Sequence, residues 1–322
     1  MKYYLGIDGG NSKTVAVIAD EGGVEIARAR TGNGNHQAGR ERAERNLMSV
    51  VNEVLSHAGL GRDDISSAVY GLAGADREFD YNILRPMVRG LGVIKHDVVC
   101  DTHIALRAGT YLPYGIVLIC GAGTNALGVD PDGRALQCGG FGYIYGDFGG
   151  GGDLARELFR RVVRAWQGRG PQTLLTQKLL DKLGYPDVEA MYNDYLDNDS
   201  HPPASLAPLL FEVADEDEVA RSILAYQGKE LGLAAAACAK GLCMEGLEFD
   251  VVLAGSVIQR GDASGKYVRP HIANELRDIA PKARLRVLDS EPVLGAVLLA
   301  MELDGVKITS EIHDKLMKTL AV

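Results

Sequence analysis

The chain has 322 residues, 46% hydrophobic and 24% charged, a composition that supports about two packed domains of an ordinary soluble protein. Its formal net charge of −9, with no basic cluster to offset it, excludes a nucleic-acid backbone as partner, and no run of 18 or more apolar residues marks a membrane span. Cys100, Cys120, Cys138, Cys238 and Cys243 form no C-x-x-C pair and read as buried free thiols. The chain opens with Met1-Lys2 and enters a strand directly, without the n-region and cleavage site of a signal peptide, so a cytoplasmic location is expected.

The first strand, from Tyr3, delivers Asp8 into the small-residue turn Gly9-Gly10-Asn11-Ser12-Lys13-Thr14, and Val15 to Asp20 carries the chain away as a second strand. Backbone N–H groups exposed in such a turn can meet a phosphate. It is not a Walker loop, because no Gly-Lys-Ser/Thr stands at the required spacing and no helix follows. A turn at Glu21-Gly22-Gly23 and a third strand to Arg30 complete a meander. Residues 38–58 place Leu47, Val50, Val51, Val54 and Leu55 on one helical face, and Ser67–Leu72 and Asp97–Cys100 read as short buried strands. Buried strands separated by helices imply an α/β architecture with a partly parallel sheet.

A second unit repeats the first. Gly115–Cys120 leads into Gly121-Ala122-Gly123-Thr124-Asn125, a strand to Asp130, a turn at Pro131-Asp132-Gly133 and a strand to Cys138. At a constant offset Thr14 matches Thr124, Asp20 matches Asp130 and Gly23 matches Gly133, which points to a duplicated domain. Residues 139–152 are so dense in glycine that they mark a loop where backbone approaches something closely. Asp153 reads as the N-cap of a helix to about Trp166, with Leu154, Leu158, Val162 and Trp166 on one side. Helices are expected at about 173–183 and 217–245, the latter holding Cys238 and Cys243. A strand from Phe249 ends in a turn at Gly255-Ser256, and another runs from Arg284 to Leu288. A helix from Pro292 to Glu302 carries Gly295-Ala296, small residues that permit close packing, and a last helix shows Ile312, Leu316 and Leu320 on one face. The expected domains are 1–114 with 305–322, and 115–304.

The set Asp8-Gly-Gly-Asn-Ser-Lys-Thr14, Asp101, Gly121-Ala-Gly-Thr-Asn125, Gly139-Gly-Phe-Gly142 with Gly146-Asp147, and Leu253-Ala-Gly-Ser256 resembles the N-acetylglucosamine kinase and BadF/BadG/BcrA/BcrD ATPase family of the actin, sugar kinase and Hsp70 superfamily. The resemblance implies duplicated RNase H-like, actin-like ATPase domains with ATP and Mg²⁺ in an interdomain cleft. It makes Gly9 to Thr14 and Gly121 to Thr124 the phosphate turns, Asp8 the residue that holds Mg²⁺ through water, and Gly255 and Ser256 neighbours of adenosine. Lys13 would neutralise phosphate, with a solvated surface lysine as the alternative.

Asp101 becomes the base that takes the proton of the attacking sugar hydroxyl, although an Asp after a strand is also a common helix N-cap. His103 nearby reads as a surface histidine. Asn35-His36 resemble the family's sugar-contacting pair, Asp147 its hydroxyl-binding carboxylate, and Phe141 an aromatic beside the acetamido group. Gly140, Asp76 and Asn125 are further sugar candidates. For Asn35 and Asp76 the alternative is an Asx-turn, and for Phe141 core packing. Two loops depart from the family: Asn11-Ser12 stands where many members have Gly-Thr, and Phe148-Gly149-Gly150 replaces Glu-Gly-Ser, which leaves the sugar unnamed.

The expected function is an ATP-dependent kinase that phosphorylates N-acetylglucosamine or a related amino sugar or hexose at its 6-hydroxyl. The alternatives are a dehydratase-activating ATPase with an iron–sulfur cluster, disfavoured because Cys120 and Cys138 lie on predicted buried strands, and a non-catalytic sugar or nucleotide sensor. The expected partner is a small-molecule sugar, with neither nucleic acid nor membrane; a homodimer is compatible with the sequence.

Overall fold

The computed structural model describes residues 1–318. Leu320, expected on the face of the last helix, lies outside the described residues. The chain begins with β1 (Tyr3–Gly9), β2 (Thr14–Asp20) and β3 (Glu25–Thr31), an antiparallel meander in which Tyr3 faces Asp20 and Gly9 faces Thr14. There follow α1 (Arg40–Ala58), β4 (Ile65–Leu72), α2 (Glu78–Arg89), β5 (His96–Cys100) and α3 (Asp101–Gly109). The next stretch holds β6 (Gly115–Cys120), β7 (Thr124–Val129), β8 (Ala135–Cys138), α4 (Gly151–Trp166), α5 (Leu175–Leu183), α6 (Val188–Asp197), α7 (Pro208–Val213) and α8 (Glu218–Gly241). It closes with β9 (Phe249–Ala254), α9 (Arg269–Leu276) and β10 (Ala283–Val287), after which come α10 (Pro292–Leu303) and α11 (Ser310–Lys318).

Two compact units result, one from Met1–Gly115 with the segment that starts at Leu288, the other from Ile116–Val287. Each holds a five-stranded sheet, ordered β3-β2-β1-β4-β5 in the first and β8-β7-β6-β9-β10 in the second, so every strand has a counterpart. Two of the three residue pairs shared by the copies, Asp20 with Asp130 and Gly23 with Gly133, are explained by one turn, while Thr14 and Thr124 open the counterpart strands β2 and β7. Asp20 Oδ1 accepts the N–H groups of Gly22 (2.9 Å) and Val24 (3.0 Å), and Asp130 Oδ1 accepts those of Asp132 (3.0 Å) and Arg134 (2.8 Å). Gly23 and Gly133 occupy the same left-handed position in it, at φ +81° and +80°.

In the first unit the sheet is buried on both faces. Leu5, Ile7, Ala16, Ile18, Tyr70 and Leu72 alternate along their strands toward α1, with Leu47, Val50 and Val54. Tyr4, Val17 and Val69 point the other way, against Val293, Val297, Leu298 and Met301 of α10. The small residues are needed there: a Cβ on Gly6 would lie 2.6 Å from Val297 N, and one on Gly295 would lie 1.9 Å from Ile104 O. A helix apolar all round is a core helix, and α10 fills the first unit's core rather than the second's. The boundary expected at 304 therefore falls at 287, because α10 packs on β1, β4 and α3.

Other expectations also shift. Gly150, not Asp153, is the N-cap of α4; Asp153 stands in its first turn, where its Oδ2 accepts the Gly149 N–H at 3.2 Å. α8 ends at Gly241, so Cys243 lies beyond it and is exposed, whereas Cys100, Cys120 and Cys238 are buried and Cys138 half-buried. Helices α2, α6, α7 and α9 form in stretches to which the sequence reading assigns no element.

Candidate active site

In the first unit β1, β4 and β5 are parallel neighbours, so their carboxyl ends gather on one edge of the sheet, where α/β folds collect ligands. Asp8 is near the end of β1, Asp76 follows β4, and Asp101 follows β5 as the first residue of α3. The Cys100 thiol bridges two of them, reaching Asp101 Oδ1 at 3.3 Å and Asp76 Oδ1 at 3.5 Å. Burial raises the Asp101 carboxyl above its ordinary value, with Asp76 adding to the rise and the Cys100 hydrogen bond opposing it. Asp8 is pushed up to about 7, first by burial, then by the charge of Asp101; Lys13 pulls the other way and Glu291 adds a small rise. Lys13 is half-buried and acts on Asp8, so it is not a merely solvated lysine.

Among the described residues no three His, Cys, Asp or Glu side chains converge to cage a metal. Mg²⁺ takes one or two carboxylates and completes its shell with water and phosphate oxygens. Asp8, raised by burial and by the neighbouring charge of Asp101, is the carboxylate that could hold such an ion.

The turn after β1 closes with Gly10 N–H donating to Lys13 O at 2.9 Å. Thr14 corrects one expectation: it is fully buried and its Oγ1 donates to Gly32 O at 2.8 Å, so its hydroxyl is committed to the fold and not offered to phosphate. Asn11 and Ser12 are exposed, and Asn11 Oδ1 accepts from Asn35 Nδ2 at 2.8 Å, tying the turn to the loop after β3. The Asx-turn considered for Asn35 is present, its Oδ1 accepting the Gln37 N–H at 2.8 Å. His36 beside it is buried, with Nε2 3.3 Å from Asp80 Oδ1. His103 is half-buried rather than on the surface, and burial lowers its pKa.

In the second unit the corresponding turn has Gly121 N–H donating to Gly123 O at 2.9 Å. The glycine run after Phe148 explains itself here. Gly151 and Gly152 donate to Gly121 O (2.8 Å) and Ala122 O (3.4 Å), and a Cβ on Gly150 would lie 2.5 Å from Gly123 Cα. The run is glycine so that the start of α4 can lie against this turn. Behind it, Gln227 Nε2 donates to Gly149 O at 2.7 Å, and the buried Cys120 thiol, pushed up to about 12 by burial, donates to the same oxygen at 3.1 Å. Gly255 sits at φ +96° with its would-be Cβ 2.3 Å from Cys120 O, and its N–H donates to Gln259 Oε1 at 3.1 Å.

A cavity of about 690 Å³ opens beside this turn, lined by Gly121, Ala122, Pro208, Phe211, Ser256 and Arg260 among others. A second, of about 320 Å³, is lined by Thr124, Gly140, Phe141, Asp147 and Arg156 among others. Asp147 shapes it: its Oδ2 accepts the N–H groups of Gly140 (3.0 Å), Phe141 (2.7 Å) and Gly142 (2.5 Å). Phe141 is 46% exposed, so it is not a core residue. Asn125 Oδ1 is buried without a hydrogen-bond partner among the described residues.

Pro208 and Phe211 escaped the sequence reading, since nothing in the short helix α7 ties it to a glycine turn, and Arg260, in the helical turn Val257–Gly261 just after Gly255-Ser256, was passed over. One signal was available. Leu72-Ala73-Gly74 and Leu253-Ala254-Gly255 end the counterpart strands β4 and β9, each with a left-handed glycine, at φ +81° and +96°.

Two sheets of one strand order, each with a small-residue hairpin at its head, define a duplicated RNase H-like fold, the actin-like architecture. The chain belongs to the BadF/BadG/BcrA/BcrD ATPase family, whose model matches residues 5–300. The N-acetylmuramic acid/N-acetylglucosamine kinase of Clostridium acetobutylicum is 30% identical over 306 residues, covering 93% of this chain and 98% of that one. The N-acetyl-D-glucosamine kinase of Dictyostelium discoideum is 30% identical over 314 residues, covering 92% and 97%. A solved structure from Chromobacterium violaceum matches with a TM-score of 0.68 at 24% identity, over 93% of this chain and 99% of that one, a likeness of fold.

Proposed function

We propose that the protein transfers the γ-phosphoryl group of ATP to a sugar hydroxyl, the 6-hydroxyl of N-acetylglucosamine or a related amino sugar or hexose, with Asp101 as general base. It is a phosphotransferase acting on an alcohol, and two relatives 30% identical over nearly their whole length carry the name of such kinases. The observation that carries the reading is the gathering of Asp8, Asp76 and Asp101 at the carboxyl ends of three parallel strands.

Phosphoryl transfer asks a protein mainly for positioning and for charge stabilisation. A base works best with a pKa drawn toward the working pH, and burial moves Asp101 in that direction. Asp8 would hold Mg²⁺, which neutralises phosphate charge when bound. The N–H groups of Asn11 to Lys13 and of Ala122 and Gly123 would be the phosphate donors, those of Gly10 and Gly121 being used to close the turns. Because Gly121 and Ala122 both form the second turn and line the larger cavity, a nucleotide with its phosphates on that turn would place its base among Phe211, Pro208 and Ser256. The sugar-contact candidates of the first unit are Asn35, His36 and Asp76; those of the second unit, taken by itself, are Asn125, Gly140, Phe141 and Asp147. The unpartnered Asn125 Oδ1 is an acceptor that a sugar hydroxyl would satisfy. Cytoplasmic ATP would supply the donor; no helix among the described residues is long and apolar enough to cross a membrane.

The test is ADP release by purified protein with ATP, Mg²⁺ and a panel of sugars, with the phosphorylated carbon located by NMR. Asp101→Asn is expected to lower kcat by roughly 10²–10⁴-fold, the usual worth of a general base. Absence of sugar stimulation, or an unimpaired Asp101→Asn, would refute the mechanism.

A further inference from the structure

Asp80 is a carboxylate that the reaction above does not use, although it is 1% exposed. It stands in the first turn of α2, and its Oδ2 accepts the Arg77 N–H at 3.2 Å and Arg77 Nε at 3.1 Å. That much is a helix cap, and a cap needs no more. Its other oxygen faces a different loop: Oδ1 lies 3.3 Å from His36 Nε2 and accepts from Gln37 Nε2 at 3.3 Å, partners 44 and 43 residues earlier in the chain. Burial alone would raise the carboxyl's pKa, but the hydrogen bonds from Arg77, Gln37 and His36 outweigh it and hold Asp80 below its ordinary value.

The two loops meet at this carboxylate. Gln37 Nε2 also reaches Gly74 O at 3.4 Å, and a Cβ on Gly74 would lie 2.9 Å from Gln37 Cδ and 3.0 Å from Asn35 Oδ1. A carboxylate can only accept, so the proton of neutral His36 belongs on Nε2. Its Nδ1, buried and without a partner among the described residues, is left as an unprotonated acceptor.

We propose that Asp80 is a positioning residue for the acceptor sugar: it ties the Asn35-His36-Gln37 loop to the Gly74–Asp76 loop and fixes the His36 tautomer, so that Nδ1 accepts from a sugar hydroxyl. This rests on the reading of Asn35, His36 and Asp76 as sugar contacts. Asparagine at this position would set an NH₂ group against one pair of donors, so Asp80→Asn loosens one loop from the other.

The experiment compares wild type, Asp80→Asn and Gln37→Leu with sugar varied at saturating ATP and with ATP varied at saturating sugar, melting each protein in parallel. Gln37 is exposed, so its variant keeps the fold if Asp80→Asn does not. The sugar KM is expected to rise about tenfold or more in Asp80→Asn and about threefold in Gln37→Leu, while the ATP KM stays within about twofold. Sugar KM values unchanged in both variants, or sugar and ATP KM rising together as general loosening would produce, overturn the proposal while leaving the kinase reading intact. A wild type that releases no ADP in response to any sugar overturns the kinase reading and this assignment with it.

Discussion

Gly150→Ala should damage nucleotide use through a single methyl group. Gly150 has φ −65° and ψ 160°, a backbone conformation open to any residue, so alanine meets no conformational penalty there. What it meets is the second phosphate turn: its Cβ would lie 2.5 Å from Gly123 Cα, 2.6 Å from Ala122 O and 2.8 Å from Gly123 C, all backbone atoms. Restoring ordinary contact requires the turn or the start of α4 to move by about 1 Å, a displacement that costs on the order of 10²-fold when it misplaces a reacting group. That is about 2.7 kcal/mol of transition-state stabilisation at 1.36 kcal/mol per decade. Gly152→Ala, two residues on, is the control, because its Cβ would find nothing nearer than Ala122 O at 3.9 Å. It lies inside α4, where alanine is better than glycine by roughly 0.5–1 kcal/mol. Steady-state kinetics with ATP varied, alongside melting curves, should show kcat/KM for ATP falling about 10²-fold in Gly150→Ala and unchanged in a slightly more stable Gly152→Ala. Equal behaviour of the two variants, or Gly150→Ala within about twofold of wild type, would refute the reasoning.

Three further outcomes are expected. Asp8→Asn should abolish turnover when assayed with ATP, Mg²⁺ and sugar, yet in nucleotide-free, metal-free protein it should stabilise the fold at neutral pH. A carboxyl raised from 3.8 to about 7 in the folded state costs stability progressively as pH climbs through that window, so the gain should grow from about pH 4 to 7, level off above, and reach up to about 4 kcal/mol; a gain independent of pH in denaturant titrations would contradict it. Gly295→Ala should destabilise the first unit by several kcal/mol, on the order of 3 or more, since its Cβ would lie 1.9 Å from Ile104 O, and hydrogen exchange should report the loss in β1 and α3. Glu302→Gln should cost about 1–3 kcal/mol in chemical denaturation, because Arg107 is 3% exposed and Glu302, partly exposed, answers its Nε and Nη2 at 2.9–3.2 Å, while glutamine keeps one acceptor oxygen but loses the charge; no loss would contradict it.

Much of the fold was legible in the sequence where a local rule forces the residue. The Asp20 and Asp130 turns need a side-chain acceptor and a left-handed glycine, and both survive in the letters. Asp101 was legible for a similar reason, as a carboxylate directly after a short apolar run. Thr14 was misread because its hydroxyl looks available in a turn, and only the return of the chain at Gly32 spends it. Asp80 could not be found at all: its cap partner is local, but the donors that give it meaning arrive from another loop. The glycines at 149–152 announced a close approach without saying to what. The domain boundary failed for a thermodynamic reason, since α10, buried on every side, carries no polar stripe to say which core it serves.

The placement of α10 orders the making of the protein. As the chain is synthesised, residues 116–287 can complete their sheet from one uninterrupted stretch. The sheet made first cannot: Tyr4, Val17 and Val69 wait with one face open until Val293 to Met301 emerge. A ribosome that stops short of residue 292 therefore releases a finished second unit attached to an unfinished first, with Asp8 and Asp101 on the half that has no lid for its core. α10 therefore acts as a seal, since without Val293 to Met301 the Tyr4, Val17 and Val69 face of the first sheet has nothing to close it.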